Sequence, residues 1–324
     1  MPSETPDRPH IPVLLPEALD LLGVRADGPA RVWVDATVGA GGHLREIARR
    51  AGGDDTIIGI DRDARSLAAL EAEFDCAARG RVRLVHANFA ELDAALAAGG
   101  VDTITGGILA DLGVSSMQLD QGERGFSFLR DGPLDMRMDE SAAVTAADLV
   151  NKLPEKELAD IIFEYGEERH SRLLARKIVE ARPLSTTGEL AALVSSCLSR
   201  FQGPRRQRRD DSHPATRTFQ ALRMAVNQEL ASLEKFLQRS LQLLAPGARL
   251  AVITFHSLED RMVKQFLRKA AAPCICPPRQ PICNCGKKPE LLIITRKALT
   301  AGEEEVLANP RSRSAKLRAG EKMA

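Results

Sequence analysis

Val32-Trp33-Val34-Asp35-Ala36-Thr37-Val38-Gly39-Ala40-Gly41-Gly42-His43 is the stretch that decides the fold. An apolar run ends in a carboxylate and enters a glycine-rich turn. Residues 42–51 (GHLREIARRA) then read as a helix. Glycines let the backbone take positive φ and approach a ligand closely. The N-terminus of the following helix offers free N–H groups to negative charge. Asp61 ends the next apolar run, IIGID (57–61), twenty residues after Gly41. A carboxylate at that place can accept hydrogen bonds from both ribose hydroxyls of a nucleoside cofactor.

Outward from this unit, strands alternate with helices. Residues 31–36, 57–61, 82–87 and 104–112 read as strands, and 42–51, 63–78 and 90–98 as helices. That alternation implies βαβ units and a parallel sheet. The rhythm breaks after Leu112. Residues 113–140 show no clear period, and from about 144 to 200 every pattern is helical, with Pro154 and Ser185-Thr186-Thr187 as N-terminal punctuation. A loop follows at 203–211. The α/β pattern resumes with a long helix over 217–244, ended by Pro246-Gly247, then a strand at 248–255, a helix at 257–271 and a strand at 291–295. The simplest account is an α/β domain made of 1–138 and 213–324, interrupted by an inserted helical domain at 139–212.

Composition bounds the class. The chain has 324 residues, is 44% hydrophobic and 27% charged, and so is neither wholly disordered, collagenous nor a small disulfide scaffold. Two domains are expected from that length. No apolar leader stands near the start and no apolar run reaches about 18 residues, so neither a signal peptide nor a transmembrane helix is expected. Lone thiols such as Cys76 and Cys197 fit a reducing cytoplasm. Lys and Arg total 45 against 44 Asp and Glu, a net charge of +1. Read alone, that balance argues against a nucleic-acid partner. The distribution reads differently: Arg200, Arg205, Arg206, Arg208 and Arg209 crowd one loop, and RSRSAKLR (311–318) forms a second basic cluster.

The chemistry of the site residues narrows the cofactor. The dinucleotide fingerprint G-x-G-x-x-G lacks its third glycine here. Asp35 sits awkwardly beside a pyrophosphate but suits a cationic methionine moiety, which favours S-adenosylmethionine over NAD. Phe89, after the third strand, can pack on an adenine or simply in the core. Asp111 ends the fourth strand, where ligands of doubly wound folds bind. A strand-end carboxylate can accept an N–H bond from an exocyclic amino group. That draws the nitrogen toward tetrahedral geometry and frees its lone pair, while proximity supplies much of the rate. The bland alternative is that Asp111 only caps a turn. Gln118, on the same loop, has both donor and acceptor to hold cofactor or base. No obvious cysteine nucleophile accompanies these strand ends, which disfavours cytosine C5 methylation. His43, His213 and His256 are each conceivable bases, but none is required, and no metal is assigned to the reaction.

Almost end to end, the chain resembles the bacterial family of small-subunit ribosomal RNA cytosine-N4 methyltransferases, the MraW or RsmH family. The resemblance rests on His10 to Leu15 (HIPVLL), the GAGGH loop, Asp111 to Ser116 (DLGVSS), Arg124 to Phe128 (RGFSF) and Asp131 to Met138 (DGPLDMRM). It continues through Tyr165 to Glu168 (YGEE), His213 to Arg223 (HPATRTFQALR), Phe255 to Arg261 (FHSLEDR) and Asn309 to Ser314 (NPRSRS). It implies a class I S-adenosylmethionine-dependent methyltransferase (Rossmann-like) fold with an inserted all-helical domain. It also implies methyl transfer to N4 of one cytidine in the decoding region, within the small ribosomal subunit in the cytoplasm, with no DNA or membrane partner. By motif match the cofactor contacts fall on Gly41, Gly42, His43, Asp61, Phe89, Asp111 and Gln118.

Three other readings carry marks of their own. A DNA amino methyltransferase would carry a D/N/S-P-P-Y/F turn, whereas Leu112-Gly113-Val114 follows Asp111. The missing third glycine and Asp35 weigh against a NAD-dependent oxidoreductase. A non-catalytic RNA-binding assembly factor is opposed by the intact cofactor motifs. Two features stay open. Phe126 and Phe128 can sandwich an extruded base or, the better reading, pin their loop to the core. Cys274, Cys276, Cys283 and Cys285 form two C-x-C pairs, tighter than the usual C-x₂₋₄-C of structural zinc; zinc, redox chemistry and unliganded thiols are all readings of them.

Overall fold

A computed structural model describes residues 11–77, 81–201, 213–277, 280, 282 and 284–324, the side chains of 75–77, 116, 117 and 200 excepted. The chain divides into two compact units, one of residues 1–113 and 231–324 and the other of residues 114–230.

The first unit is built on a seven-stranded sheet in the order β3-β2-β1-β4-β5-β7-β6. Its strands are β1 (Val32–Asp35), β2 (Thr56–Asp61), β3 (Val82–His86), β4 (Gly107–Asp111), β5 (Arg249–Thr254), β6 (Leu291–Ile293) and β7 (Lys316–Lys322). The first five run parallel, and β7 lies antiparallel to both β5 and β6. This is the class I methyltransferase arrangement. Alternate residues of each strand face opposite layers: Trp33, Ile57, Leu109 and Ala251 enter one apolar cluster, and Val34, Ile58, Ile108 and Leu250 the other. A sheet buried on both faces needs such continuous apolar runs. Trp33 keeps its indole N–H satisfied by donating to Asp55 Oδ2 at 2.8 Å. Strand order reverses at β1, which pairs with β2 on one side and β4 on the other. That switch point puts Asp35 and Asp111 at neighbouring carboxyl ends.

The second unit is helical, with Ala146–Lys152, Glu155–Gly166, Ser171–Glu180, Thr187–Leu198 and Thr216–Val226 as its longer helices. Pro154 stands at one N-cap, and Thr186 with Glu189 forms a capping box at another, as the sequence punctuation leads one to expect. The unit is wider than the expected 139–212 because Phe126, Leu134, Met136 and Met138 belong to its core, packed with Ile162, Leu190 and Leu222. The aperiodic segment is therefore pinned by apolar anchors without a repeat.

Two further differences have local causes. The single helix expected over 217–244 is two, Thr216–Val226 and Glu229–Leu243, broken where Gln228 takes φ +49°. The basic cluster at 311–318 runs into the strand β7. Its Arg318 is buried and paired with Asp260 through Nε–Oδ1 at 2.6 Å, and Lys316 reaches Asp260 Oδ2 at 3.2 Å. The segment at 11–14 is fastened to the segment at 305–309: Leu14 N–H donates to Glu305 at 2.8 Å, and Asn309 Nδ2 to the Ile11 carbonyl at 2.9 Å. Among the described residues no helix is long and apolar enough to cross a membrane.

Candidate active site

The site grows from the end of β1. Asp35 is fully buried, and its Oδ1 accepts the Thr37 N–H at 3.1 Å. Gly39 and Gly41 take φ +51° and +81°, so the loop turns through conformations that side chains resist. The Gly39 amide donates to Asp61 Oδ2 at 2.7 Å, and Asp63 N–H to Asp61 Oδ1 at 2.8 Å. Asp61 thus ties the glycine loop to the end of β2. Each of its oxygens still has a second acceptor position.

Gly42, the first residue of its helix, is needed for space. A Cβ there would lie 2.2 Å from Pro12 Cγ. Gly42→Ala is expected to cost about 1–3 kcal/mol by overpacking and to lower the denaturation midpoint; an unchanged midpoint would show that the 11–15 segment yields freely.

Asp111 ends β4, and its amide donates to Thr37 Oγ1 at 2.6 Å, which fastens β4 to the β1 turn. His43 Nε2 lies 3.1 Å from the Val13 carbonyl, a contact that requires the proton on Nε2. Its Nδ1 faces Asp111 Oδ2 at 3.6 Å. Two carboxylate oxygens, Asp35 Oδ2 and Asp111 Oδ1, are buried with no hydrogen-bond partner among the described residues. An unpaired buried acceptor is costly in a native fold, so this pair marks a place built for something else.

The electrostatics agree. Burial pushes the Asp35 carboxyl up to about 7, with Asp61 adding to the rise and the Thr37 amide opposing it. Asp111 stands well above the usual carboxylate range, first because it is desolvated, then because Asp35 and Glu259 bring negative charge near it. Burial also raises Asp61, against the Asp63 and Gly39 amides. Such acidic crowding disfavours a phosphate and favours a cation.

Of the residues singled out in the sequence, Gly41, Gly42, His43, Asp61 and Asp111 are brought together at these strand ends. Phe89 follows β3, half-buried, and meets Phe236 edge-on at 5.2 Å between centroids. Gln118 belongs to the second unit. It is buried there, its Oε1 accepting the Ser115 N–H at 3.1 Å while Ser115 Oγ accepts its own amide at 3.2 Å.

Residues 7–323 match the model of the MraW methylase family. The chain belongs to the MraW methylase family. It is 52% identical over 317 residues to ribosomal RNA small subunit methyltransferase H of Geobacter sp. (strain M21), covering 97% of this chain and 98% of that protein. It is 48% identical to the protein of that name from Heliobacterium modesticaldum, with 97% and 98% covered.

In this MraW-family methylase several motif residues prove architectural. His256 is the N-cap of the helix Ser257–Ala271 and forms a capping box with Glu259. His213 stacks on Phe128 at 4.5 Å, and Phe128 also meets Phe219 at 5.1 Å. Phe126 is 7% exposed, with the Arg124 guanidinium 5.8 Å from its ring centroid. Both phenylalanines are therefore held in the helical unit's own packing. Arg137 and Asp135 form a two-point pair at 2.8 and 2.7 Å. Arg205, Arg206, Arg208 and Arg209 lie outside the described residues, as does the side chain of Arg200. In the C-terminal cluster Arg311 and Arg313 are exposed, whereas Arg318 is buried. The pair Pro273-Cys274 stands beyond the helix Ser257–Ala271, not on the Asp111 turn. Sequence reading missed Thr37 and Glu259. A hydroxyl two residues past a strand end, and an acid at the third position of a helix, were the signals available.

Proposed function

We propose that this methylase transfers a methyl group from S-adenosylmethionine to the N4 amino group of one cytidine in the decoding region of small-subunit ribosomal RNA. We place it in the cytoplasm with the small ribosomal subunit as its partner. The observation that carries the reading is the pair of unpaired buried oxygens, Asp35 Oδ2 and Asp111 Oδ1, at the switch point beside the glycine loop. The names borne by the relatives support the RNA substrate.

The residues fit the cofactor. When bound, S-adenosylmethionine supplies an electrophilic methyl on a positively charged sulfur. Asp35 offers a desolvated negative charge to the cationic methionine end. Asp61 presents its remaining acceptor positions to ribose hydroxyls, and Gly41 and Gly42 leave the backbone open to approach. Phe89 covers the adenine. Asp111 accepts one N–H of the cytidine amino group, which frees the nitrogen lone pair for attack. The proton released afterwards goes to water. His43, fixed by Val13, positions Asp111 rather than acting as a base.

Small subunits lacking the modification, supplied with labelled S-adenosylmethionine, are expected to yield N4-methylcytidine on nucleoside mass analysis. Label on a ring carbon, on ribose or on DNA would reject the reading. Asp61→Ala is expected to weaken cofactor affinity in calorimetry by about 1–3 kcal/mol, the loss of hydrogen bonds to a charged acceptor. Unchanged affinity would remove Asp61 from the cofactor site.

A further inference from the structure

The segment between the helix Ser257–Ala271 and β6 carries a feature that the methyl-transfer site leaves unexplained. The chain leaves the helix and returns beside it, where Glu290 N–H donates to the Ala270 carbonyl at 2.9 Å. The described residues between them form neither helix nor strand. Loops of this length inside a compact unit are uncommon without a function or a crosslink. Among its described residues the large apolar side chains do not form an interior: Ile275 and Ile282 are 61% and 78% exposed.

What the loop does contain is sulfur. The Sγ atoms of Cys274, Cys276 and Cys285 all lie within 4.8 Å of one another. Cys274 and Cys285 stand 3.7 Å apart. A disulfide needs about 2.0 Å between its sulfurs. With Zn–S bonds of about 2.3 Å, the edge of a tetrahedron is about 3.8 Å. The observed spacing is that edge.

Two backbone features support bound thiolates. The Cys276 N–H donates to Cys274 Sγ at 3.3 Å, a bond that stabilises negative sulfur. Gly286 takes φ +62° with nothing within 4 Å of an added Cβ, so the chain turns sharply straight after Cys285. Lys287 and Lys288 follow, and their charge offsets the excess that three thiolates place on a divalent ion.

We propose that Cys274, Cys276 and Cys285 hold a structural zinc ion that closes this loop. The fourth position is taken by solvent. Cys283 lies outside the described residues. The ion takes no part in methyl transfer. It replaces the missing apolar core of the excursion and shapes the approach to the edge strand β6.

The test uses the full-length protein purified under reducing conditions without chelator or added metal. About one zinc per chain is expected by elemental mass spectrometry. Exchange for Co(II) is expected to give thiolate-to-cobalt charge-transfer bands and intense tetrahedral d–d bands. Cys197→Ser keeps the metal, and the triple Cys274→Ser/Cys276→Ser/Cys285→Ser variant loses it. Should the triple variant fail to fold, Cys276→Ser alone is expected to weaken zinc at least about ten-fold in chelator competition. Zinc well below one per chain with the thiols reduced, no cobalt–thiolate bands, or zinc retained in a folded triple variant would each overturn the proposal.

Discussion

Asp111→Ala is expected to slow methyl transfer by about 10²- to 10³-fold at saturating cofactor while the protein stays folded, the scale on which a single positioned proton-accepting or charge-stabilising group acts. The argument starts from what Asp111 already does. Its amide, not its side chain, fastens β4 to Thr37. Its side chain is 19% exposed, and Oδ1 is buried with no partner among the described residues. Removing the carboxylate therefore leaves the backbone bond to Thr37 in place and gives up only the His43 contact at 3.6 Å. It removes the acceptor that would draw on the cytidine N–H. Asp111→Asn keeps one acceptor oxygen and should fall less far than alanine.

Stability moves the other way. Asp111 has a carboxyl raised well above the usual range by desolvation, then by Asp35 and Glu259. A raised acid contributes stability below its unfolded pKa, near 3.8, and loses it as pH rises through the folded value. Asp111→Asn should thus melt at a higher temperature than the parent at pH 8, with the difference shrinking toward pH 4. Single-turnover rates on small subunits, with melting curves at both pH values, read the two effects separately. A variant that retains parental rates would show that Asp111 serves only the turn.

Much of this site is legible in the sequence because its parts are contiguous. A strand, a glycine turn and a helix in twelve residues require β1, the loop and the helix Gly42–Arg50 in that order. Asp61 and Asp111 follow from strand ends, which periodicity locates to within a few residues. What local patterns conceal is pairing over distance. Arg318 looks exposed in RSRSAKLR but is buried, because Asp260, 58 residues earlier, neutralises it. For the same reason the start of β7 reads as part of a basic cluster: Lys316 and Arg318 mask a strand whose Leu317 and Ala319 face the core. The break at Gln228 is hidden too, since its neighbours continue the helical period. Phe126 and Phe128 carry two meanings in sequence. Only the contacts with Arg124, Phe219 and His213 give them their packing role.

Cofactor affinity is expected to rise about ten-fold between pH 6 and pH 8, the change when binding requires loss of one proton with pKa near 7. Asp35 supplies that proton. Its carboxyl is held at about 7, against an ordinary 3.8, by burial and by Asp61, despite the Thr37 amide. In the ligand-free protein it keeps its proton at pH 6, and the neutral form offers no charge to a cationic methionine. Above pH 7 it is ionised, buried and unpaired at Oδ2. The ligand-free fold then loses stability, because a raised acid stabilises only below its folded pKa. A cation brought to that oxygen recovers the loss, so the thermal stabilisation by S-adenosylmethionine should grow over the same interval. The charge on Asp35 also reaches Asp111, whose carboxyl it helps to raise. Replacing Asp35 with asparagine removes one negative charge and the group that titrates near 7, so Asp35→Asn should bind more weakly at pH 8 and show a flattened pH profile. Calorimetry in two buffers of different ionisation enthalpy counts the proton released on binding. If the parent binds equally well at pH 6 and 8, or if Asp35→Asn keeps the full ten-fold rise, the titrating group lies elsewhere and Asp35 is not the cation's partner.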